Sequence, residues 1–517
     1  MREIHHTDGR VELDDATPLE KSPLYNPDLA PVKVKDRSWS TYNYAALWIS
    51  MAHCITTYML ASGLIGAGMS WGQALFTILL GNSIVLVPIL LNSHPGTKYG
   101  IPFPVFARAA YGVIGSNLPA LMRAVVACGW FGIQCWIGGM AIHRFLTTLH
   151  RGWPTALGGP FKGGFLDGTT PTELLCFMLF WGINILIIFK GMDLLRRVEN
   201  WAAPYVLVMT ALLVGWAIYR VHGLGPIISQ PGKYEWASPA FLKIFIPSLT
   251  GMIGYWATLS LNMPDFTRFG RSQREQMIGQ VVALPSTMTI FAAMGVVITS
   301  ASSVIYGKAI WDPVDLVSRF DSTAIVLVSM FTVAVATLSV NIAANVVSPA
   351  NDFANAFPRL INFGRGGLIT GIIGIAMRPW YLLANPEKYI NEWLVGCSGA
   401  LGSIAGVLIA DYWLLRKTRL ALADLYMDKG AYRYQRGWNP AGVLATLLGC
   451  APVFIGHYAV PSLNFFFDYA WFASFFISAG AYLGLMALTG GTASQIASVE
   501  TTTSATPAKS PGAAFLN

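Results

Sequence analysis

The sequence predicts an all-α integral membrane protein of twelve transmembrane helices, and three observations carry that prediction. Hydrophobic residues make up 54% of the 517 and charged residues only 12%, against about 25% charge in ordinary soluble domains, while mean hydropathy is +0.51. Apolar runs of roughly the 17–25 residues a helix needs to cross a bilayer recur along the chain. Inside them, polar side chains fall at helical same-face steps: Trp130 and Gln134 lie one turn apart, and Asn341, Asn345, Ser348 and Asp352 follow at steps of four, three and four. Amides and a carboxylate are costly in hydrocarbon unless they face protein, water or a ligand, so this stripe predicts a binding site near the membrane midplane.

Taken in order, the spans read near 43–66, 72–92, 118–147, 172–190, 199–220, 243–263, 278–305, 323–346, 366–384, 391–415, 441–460 and 464–489. An even number puts both termini on one side, and basic residues identify that side as cytoplasmic. Lys33, Lys35 and Arg37 precede span one, Arg196 and Arg197 follow span four, and Arg268, Arg271 and Arg274 follow span six. Arg416, Lys417, Arg419, Lys429, Arg433 and Arg436 fill the loop after span ten. The opposite loops are poorer, with Arg151, Lys162, Lys233, Lys308 and Arg319. The net charge of +8 is therefore read as topology and not as a nucleic-acid surface.

Six cysteines, Cys54, Cys128, Cys135, Cys176, Cys397 and Cys450, lie mostly within spans and form no C-x-x-C pair, which argues for packing or site lining and against disulfides or zinc. The polar, acidic, proline-containing start predicts no cleavable signal peptide. The Ser/Thr/Ala/Pro-rich tail predicts disorder. The expected organisation is a cytoplasmic segment 1–42, a ten-helix core 43–415, a cytoplasmic loop 416–440, two further helices 441–489 and a disordered cytoplasmic tail 490–517. Within the core, SMAHCITT (50–57) and PSLTGMIGYW (247–256) are stretches where a helix can unwind. They lie five spans apart, as inverted repeats of spans one to five and six to ten would place them.

The segments NPDLAP (26–31), WSTYNYAALW (39–48), HPGTKYGIPFPVFARAAYG (94–112), ACGWFGIQCWIGG (127–139), GYWATLSLNMPDFTRF (254–269), NIAANVVSPANDF (341–353), ADYWLLRK (410–417) and RGWNPAG (436–442) resemble the nucleobase:cation symporter-1 family, from about residue 26 to 490. The resemblance implies a LeuT-like five-plus-five inverted repeat with two additional C-terminal helices. It also implies cation-coupled import of a nucleobase or cyclic ureide of the uracil, allantoin or hydantoin class, by alternating access.

A flat ring carrying an imide or ureide needs stacking surfaces on its faces and amides at its edge, and Trp130 and Gln134 supply one of each. The resemblance implies that Trp130 and Trp256 stack on the ring while Gln134 and Asn345 bond its edge. For a single tryptophan, packing or an interfacial belt is the alternative role. Asn341 is a further substrate candidate, with interhelical bonding as its alternative. Cys54 stands where a hydantoin-carrying family member has a glutamine near the ligand, so this pocket has one amide fewer.

The family's sodium site maps onto the carbonyls of Ser50, His53 and Ala336, the hydroxyl of Ser339, and Val340, which offers no oxygen where a second hydroxyl belongs. A proton is the alternative coupling cation, with His53 or Asp352 as carrier. Asp265 reads as a helix-end or gate residue paired with Arg268, and Asp411 as the cytoplasmic end of span ten. Lys98 and Arg108 fall in a Gly/Pro-rich loop after span two that suits rigid turns or a gate. No phosphate-loop motif occurs. No cofactor, nucleic-acid partner or obligate protein partner is expected. The competing readings are a non-transporting nutrient sensor, and an intramembrane enzyme, for which the H-E-x-x-H signature is absent.

Overall fold

The computed structural model describes residues 1–190, 192–385 and 387–489, without side chains for 192–203 and 343. The side chains of Arg196 and Arg197 and the tail 490–517 of the sequence reading lie outside the described residues. Among the described residues, eight helices are long and apolar enough to cross a membrane: Trp71–Tyr99, Asn117–Leu149, Pro171–Lys190, Gln273–Tyr306, Thr323–Ala356, Lys388–Leu415, Pro440–Tyr458 and Ala470–Thr489. They are spans two, three, four, seven, eight, ten, eleven and twelve. Span one is the pair Thr41–Ala52 and Ile55–Gly66, bent by 57°. Span five is Met192–Arg220, span six is Pro239–Tyr255 with Ala257–Asn262, and span nine is Phe363–Ala376.

Spans one and six are both interrupted, and the local chemistry is different in each. In span one His53 and Cys54 leave helical geometry, Cys54 with extended dihedrals (φ −139°, ψ 162°). In span six the helix stops at Tyr255 and Trp256 is the hinge (φ −103°, ψ 8°), at the last residue of the predicted stretch. Span eight has a further kink at Val346 (φ −117°, ψ −44°) that the periodicity did not announce. Span ten begins and ends in π-helical turns, Lys388–Leu394 and Ala410–Leu415.

Packing divides the core as an inverted repeat requires. Span seven lies against spans one and two, and span two against span six; span three lies against spans four, eight and nine. Spans eleven and twelve pack on each other and on span ten. Spans three and nine cross backbone to backbone at Gly132 and Gly374. A Cβ on Gly132 would fall on the Gly374 carbonyl oxygen, and one on Gly374 would come within 2.8 Å of Cys128 O. Neither atom belongs to a side chain that can swing aside, so Gly132→Ala is expected to force the helices apart and to destabilise the protein by about 1–3 kcal/mol. Because Gly132 lies between Trp130 and Gln134, ligand affinity should fall as well; thermal unfolding and equilibrium binding of the purified variant check both.

One end of the bundle carries a polar cap built from two distant pieces of chain. A short hairpin, β1 (Glu3–His5) and β2 (Val11–Leu13), opens the N-terminal segment. Glu3 Oε1 accepts from Leu422 N at 2.6 Å, Tyr426 Oη donates to Leu29 O at 2.7 Å, and Ser22 Oγ to Tyr426 O at 2.5 Å. Arg37 donates to Val11 O, Val32 O and Thr97 O at 2.8–3.0 Å. Burial pushes its guanidinium down to about 10, still charged at neutral pH. Gly100, at φ +71°, ends span two beneath this arginine; a Cβ there would meet Val32 O and the guanidinium.

The Gly/Pro-rich stretch after span two is not a loop. Lys98 ends span two and donates to Thr418 O at 2.7 Å. Arg108 lies in a buried helix, Phe103–Tyr111, and donates to Leu425 O at 2.9 Å and Asn355 Oδ1 at 2.7 Å. Proline is compatible with a helix's first turn, so Pro102 and Pro104 start this helix and do not break it. Asp265 does not pair with Arg268 as expected. Its Oδ1 accepts from Phe103 N at 2.9 Å, while Arg268 reaches Asp28 O at 2.9 Å. The unsatisfied N–H groups at the start of Phe103–Tyr111 draw the carboxylate more effectively than an arginine on its own short turn. Asp411 does sit at the end of span ten, held at 2.7 Å by both Arg416 and Tyr482.

Candidate substrate site

The two breaks and the kink meet at span three. One cavity is lined by Cys54 and Thr56 from the first break, Tyr255 and Trp256 from the second, Trp130 and Gln134 from span three, and Val340 and Asn345 from span eight. Thus five of the six predicted substrate residues share one space. Its volume of about 30 Å³ holds roughly two waters, so a flat heterocycle enters only when the walls part.

Edge-on aromatic contacts fix the indoles. Tyr255 stands between them, 5.2 Å from Trp130 at 76° and 4.9 Å from Trp256 at 89°, and Trp48 meets Trp256 at 5.1 Å and 88°. The Tyr255 hydroxyl lies 2.9 Å from both Thr56 Oγ1 and Thr57 Oγ1 and 3.2 Å from Cys54 Sγ, tying span six to span one at its break and the first turn beyond it. Gln134 Nε2 donates to Thr56 Oγ1 at 3.4 Å, and its Oε1 is buried without a partner. Such an acceptor is costly when left unpaired, which marks it as waiting for a donor.

Asn341 is outside the cavity, one turn behind Asn345. Its amide faces Asn184 Oδ1 at 3.2 Å, Cys135 Sγ at 3.4 Å and Phe131 O at 3.5 Å, and its oxygen accepts from Asn345 Nδ2 at 3.0 Å. Further along span eight, past the irregular residue Val346, Ser348 bonds Asn262, while Asp352 still faces span three, as Asn341 does, and pairs there with Arg123 at 2.5 Å, both charged side chains fully buried. Asp352 therefore faces an arginine and not the cavity.

The residues assigned to sodium lie in two places. Val340 lines the substrate cavity, whereas His53 and Ala336 line a neighbouring, mostly apolar one of about 100 Å³. Ser339 Oγ donates to Ala336 O at 3.0 Å, so one expected ligand is engaged with another. Ser50 lies in the helix just before the break. The His53 ring stacks on Phe291 (4.2 Å, 14°) and lies 3.2 Å from Thr210 Oγ1. Among the described residues no cluster of three or more His, Cys, Asp or Glu is placed to hold a metal.

The sequence reading missed Tyr255, Thr56, Asn184 and Arg123. Asn184 had a signal, being an amide deep in the apolar run of span four. Tyr255 had none beyond its place beside Trp256.

Paired broken helices, packed as an inverted repeat around a midplane pocket of indoles and amides, define a secondary transporter. The sequence matches the family described as permease for cytosine/purines, uracil, thiamine, allantoin over residues 31–491. It is 43% identical over 464 residues to the allantoin permease of Bacillus subtilis (strain 168), covering 90% of this chain and 93% of that one. It is 39% identical over 491 residues to the purine-uracil permease NCS1 of Arabidopsis thaliana, covering 92% and 80%. The solved inward-facing conformation of Mhp1 superposes with a TM-score of 0.74 at 25% identity, covering 93% of this chain and 98% of that one. The chain belongs to this permease family. It is a multi-pass membrane transporter of the nucleobase and cyclic-ureide class, cation-coupled and working by alternating access on a LeuT-like fold.

Proposed function

We propose that the chain imports an allantoin-like cyclic ureide, coupled to protons. The observation that carries this is the convergence of Trp130, Trp256, Gln134 and Asn345 on one cavity, two indoles beside two amides. A relative 43% identical to this chain is named an allantoin permease, which supports allantoin as first candidate; uracil is second, after the plant relative's name. In this reading Trp130 and Trp256 stack on the ring, Gln134 and Asn345 bond its edge, and Cys54 borders it. Asn341 acts through Asn345. Competition of allantoin, hydantoin, uracil and purine bases against labelled allantoin in proteoliposomes tests it; no displacement by any ring compound overturns it.

The proton assignment is supported by what surrounds the expected sodium ligands. The Val340 side chain has no oxygen, and the Ser339 hydroxyl donates to the Ala336 carbonyl. A sodium ion short of hard oxygen ligands binds weakly. His53 and Asp352 are the candidate carriers. Uptake should respond to an inward proton gradient and hardly to replacement of sodium by choline, and Val340→Thr should introduce sodium stimulation by supplying the missing oxygen. Strong sodium dependence of the unmodified protein would overturn the proton assignment. Both termini are assigned to the cytoplasm because basic segments before span one and after span ten share the polar cap. The lipid bilayer is the only partner besides substrate and cation in this reading.

A further inference from the structure

The Asn345 amide is anchored by its nitrogen. Asn184 Nδ2 donates to the backbone carbonyl of Phe180 at 2.9 Å. A backbone carbonyl only accepts, so the Asn184 oxygen must point the other way, and it takes the Asn341 N–H at 3.2 Å. The Asn341 oxygen then takes the Asn345 N–H at 3.0 Å. Turning Asn345 alone would set two amide oxygens against each other. Turning all three would set the Asn184 oxygen against the Phe180 carbonyl. The direction of the whole chain is therefore imposed from span four, and the Asn345 oxygen is left for the cavity, where no donor of the described residues reaches it. Gln134 is not anchored in the same way: its Nε2 reaches Thr56 Oγ1 at 3.4 Å, a hydroxyl that can also donate, and its oxygen is buried without a partner. Trp256, on the same cavity, has an indole N–H without an acceptor.

We infer that this amide chain is a specificity device. It presents one fixed acceptor, Asn345 Oδ1, beside the unpartnered Gln134 Oε1, and so selects rings that offer two N–H donors at the edge, as ureides and pyrimidinediones do, against their N-alkylated congeners. Asn184 is its positioning residue, acting through Asn341 without touching the ligand. The inference rests on the reading of this cavity as the substrate site.

The test is competition against labelled allantoin, using the full-length protein in proteoliposomes, with uracil, 1-methyluracil, 3-methyluracil, hydantoin and N-methylated hydantoins. In the unmodified protein, methylation at the recognised edge should weaken competition roughly tenfold or more, because it removes a donor and leaves a buried oxygen unpaired. Asn184→Leu, which offers Asn341 no acceptor, should narrow that ratio to about two- to threefold while the parent rings lose less. Asn184→Ser, whose hydroxyl can both donate to Phe180 O and accept from Asn341, should keep the ratio near its original value. A loss of stability alone would lower all affinities together and leave the ratio unchanged. Equal competition by methylated and parent rings in the unmodified protein overturns the acceptor assignment without any variant being needed. An unchanged ratio in Asn184→Leu removes Asn184 from the device. Failure of every ring, labelled allantoin included, strikes the substrate reading itself.

Discussion

Trp130→Ala and Asn345→Ala should each bring substrate binding close to the limit of detection while the purified protein still folds. Each removes an interaction worth about 1–3 kcal/mol in a desolvated pocket, hence roughly tenfold or more in affinity. Trp130 is held edge-on by Tyr255, Tyr389 and Trp393, so its loss also frees the walls that orient a ring. Asn345 is the last member of an amide chain, so its loss leaves the Asn341 oxygen without its donor. Equilibrium binding to the detergent-purified variants, alongside their melting curves, is the measurement. Binding at the level of the unmodified protein in both would take these residues out of the site.

Asp352→Ala should cause the largest loss of stability of any single change considered, about 3–5 kcal/mol, because it strands a fully buried arginine. Arg123 already leaves Nε and one terminal nitrogen unpaired, so it has no second carboxylate to fall back on. Removing both charges at once, as Arg123→Met with Asp352→Leu, should recover most of the loss, since well-packed apolar side chains avoid the desolvation cost. Thermal unfolding decides the first point; a melting temperature unchanged by Asp352→Ala would mean that the pair is hydrated. The double variant also separates the proton carriers. Proton-driven uptake that survives it excludes Asp352 and leaves His53.

The spans and the two helix breaks were legible because the bilayer imposes them. A segment crossing hydrocarbon must be apolar and helical over a set length, which one sequence displays without its neighbours. The same logic exposed Trp130, Gln134 and Asn345, polar or amphipathic side chains where lipid would reject them. It also overreached. Helical spacing placed Asp352 on one face with Asn341 and Asn345, but it did not show that Arg123 of span three answers the carboxylate there. It treated a run of glycines and prolines as a loop, although two of those prolines begin a buried helix.

By itself, then, the sequence determined that this is a twelve-span membrane protein, interrupted in spans one and six and carrying indoles and amides at membrane depth. Tertiary structure alone decided which amides meet in one cavity, that Asn341 stands behind Asn345, that Asp352 belongs to an ion pair, and which atom of the Asn345 amide faces the cavity. The reason is physical. Burial in lipid is a property of a segment, readable from its composition, whereas a hydrogen bond is directional and its direction depends on partners such as Asn184, contributed by a span distant along the chain.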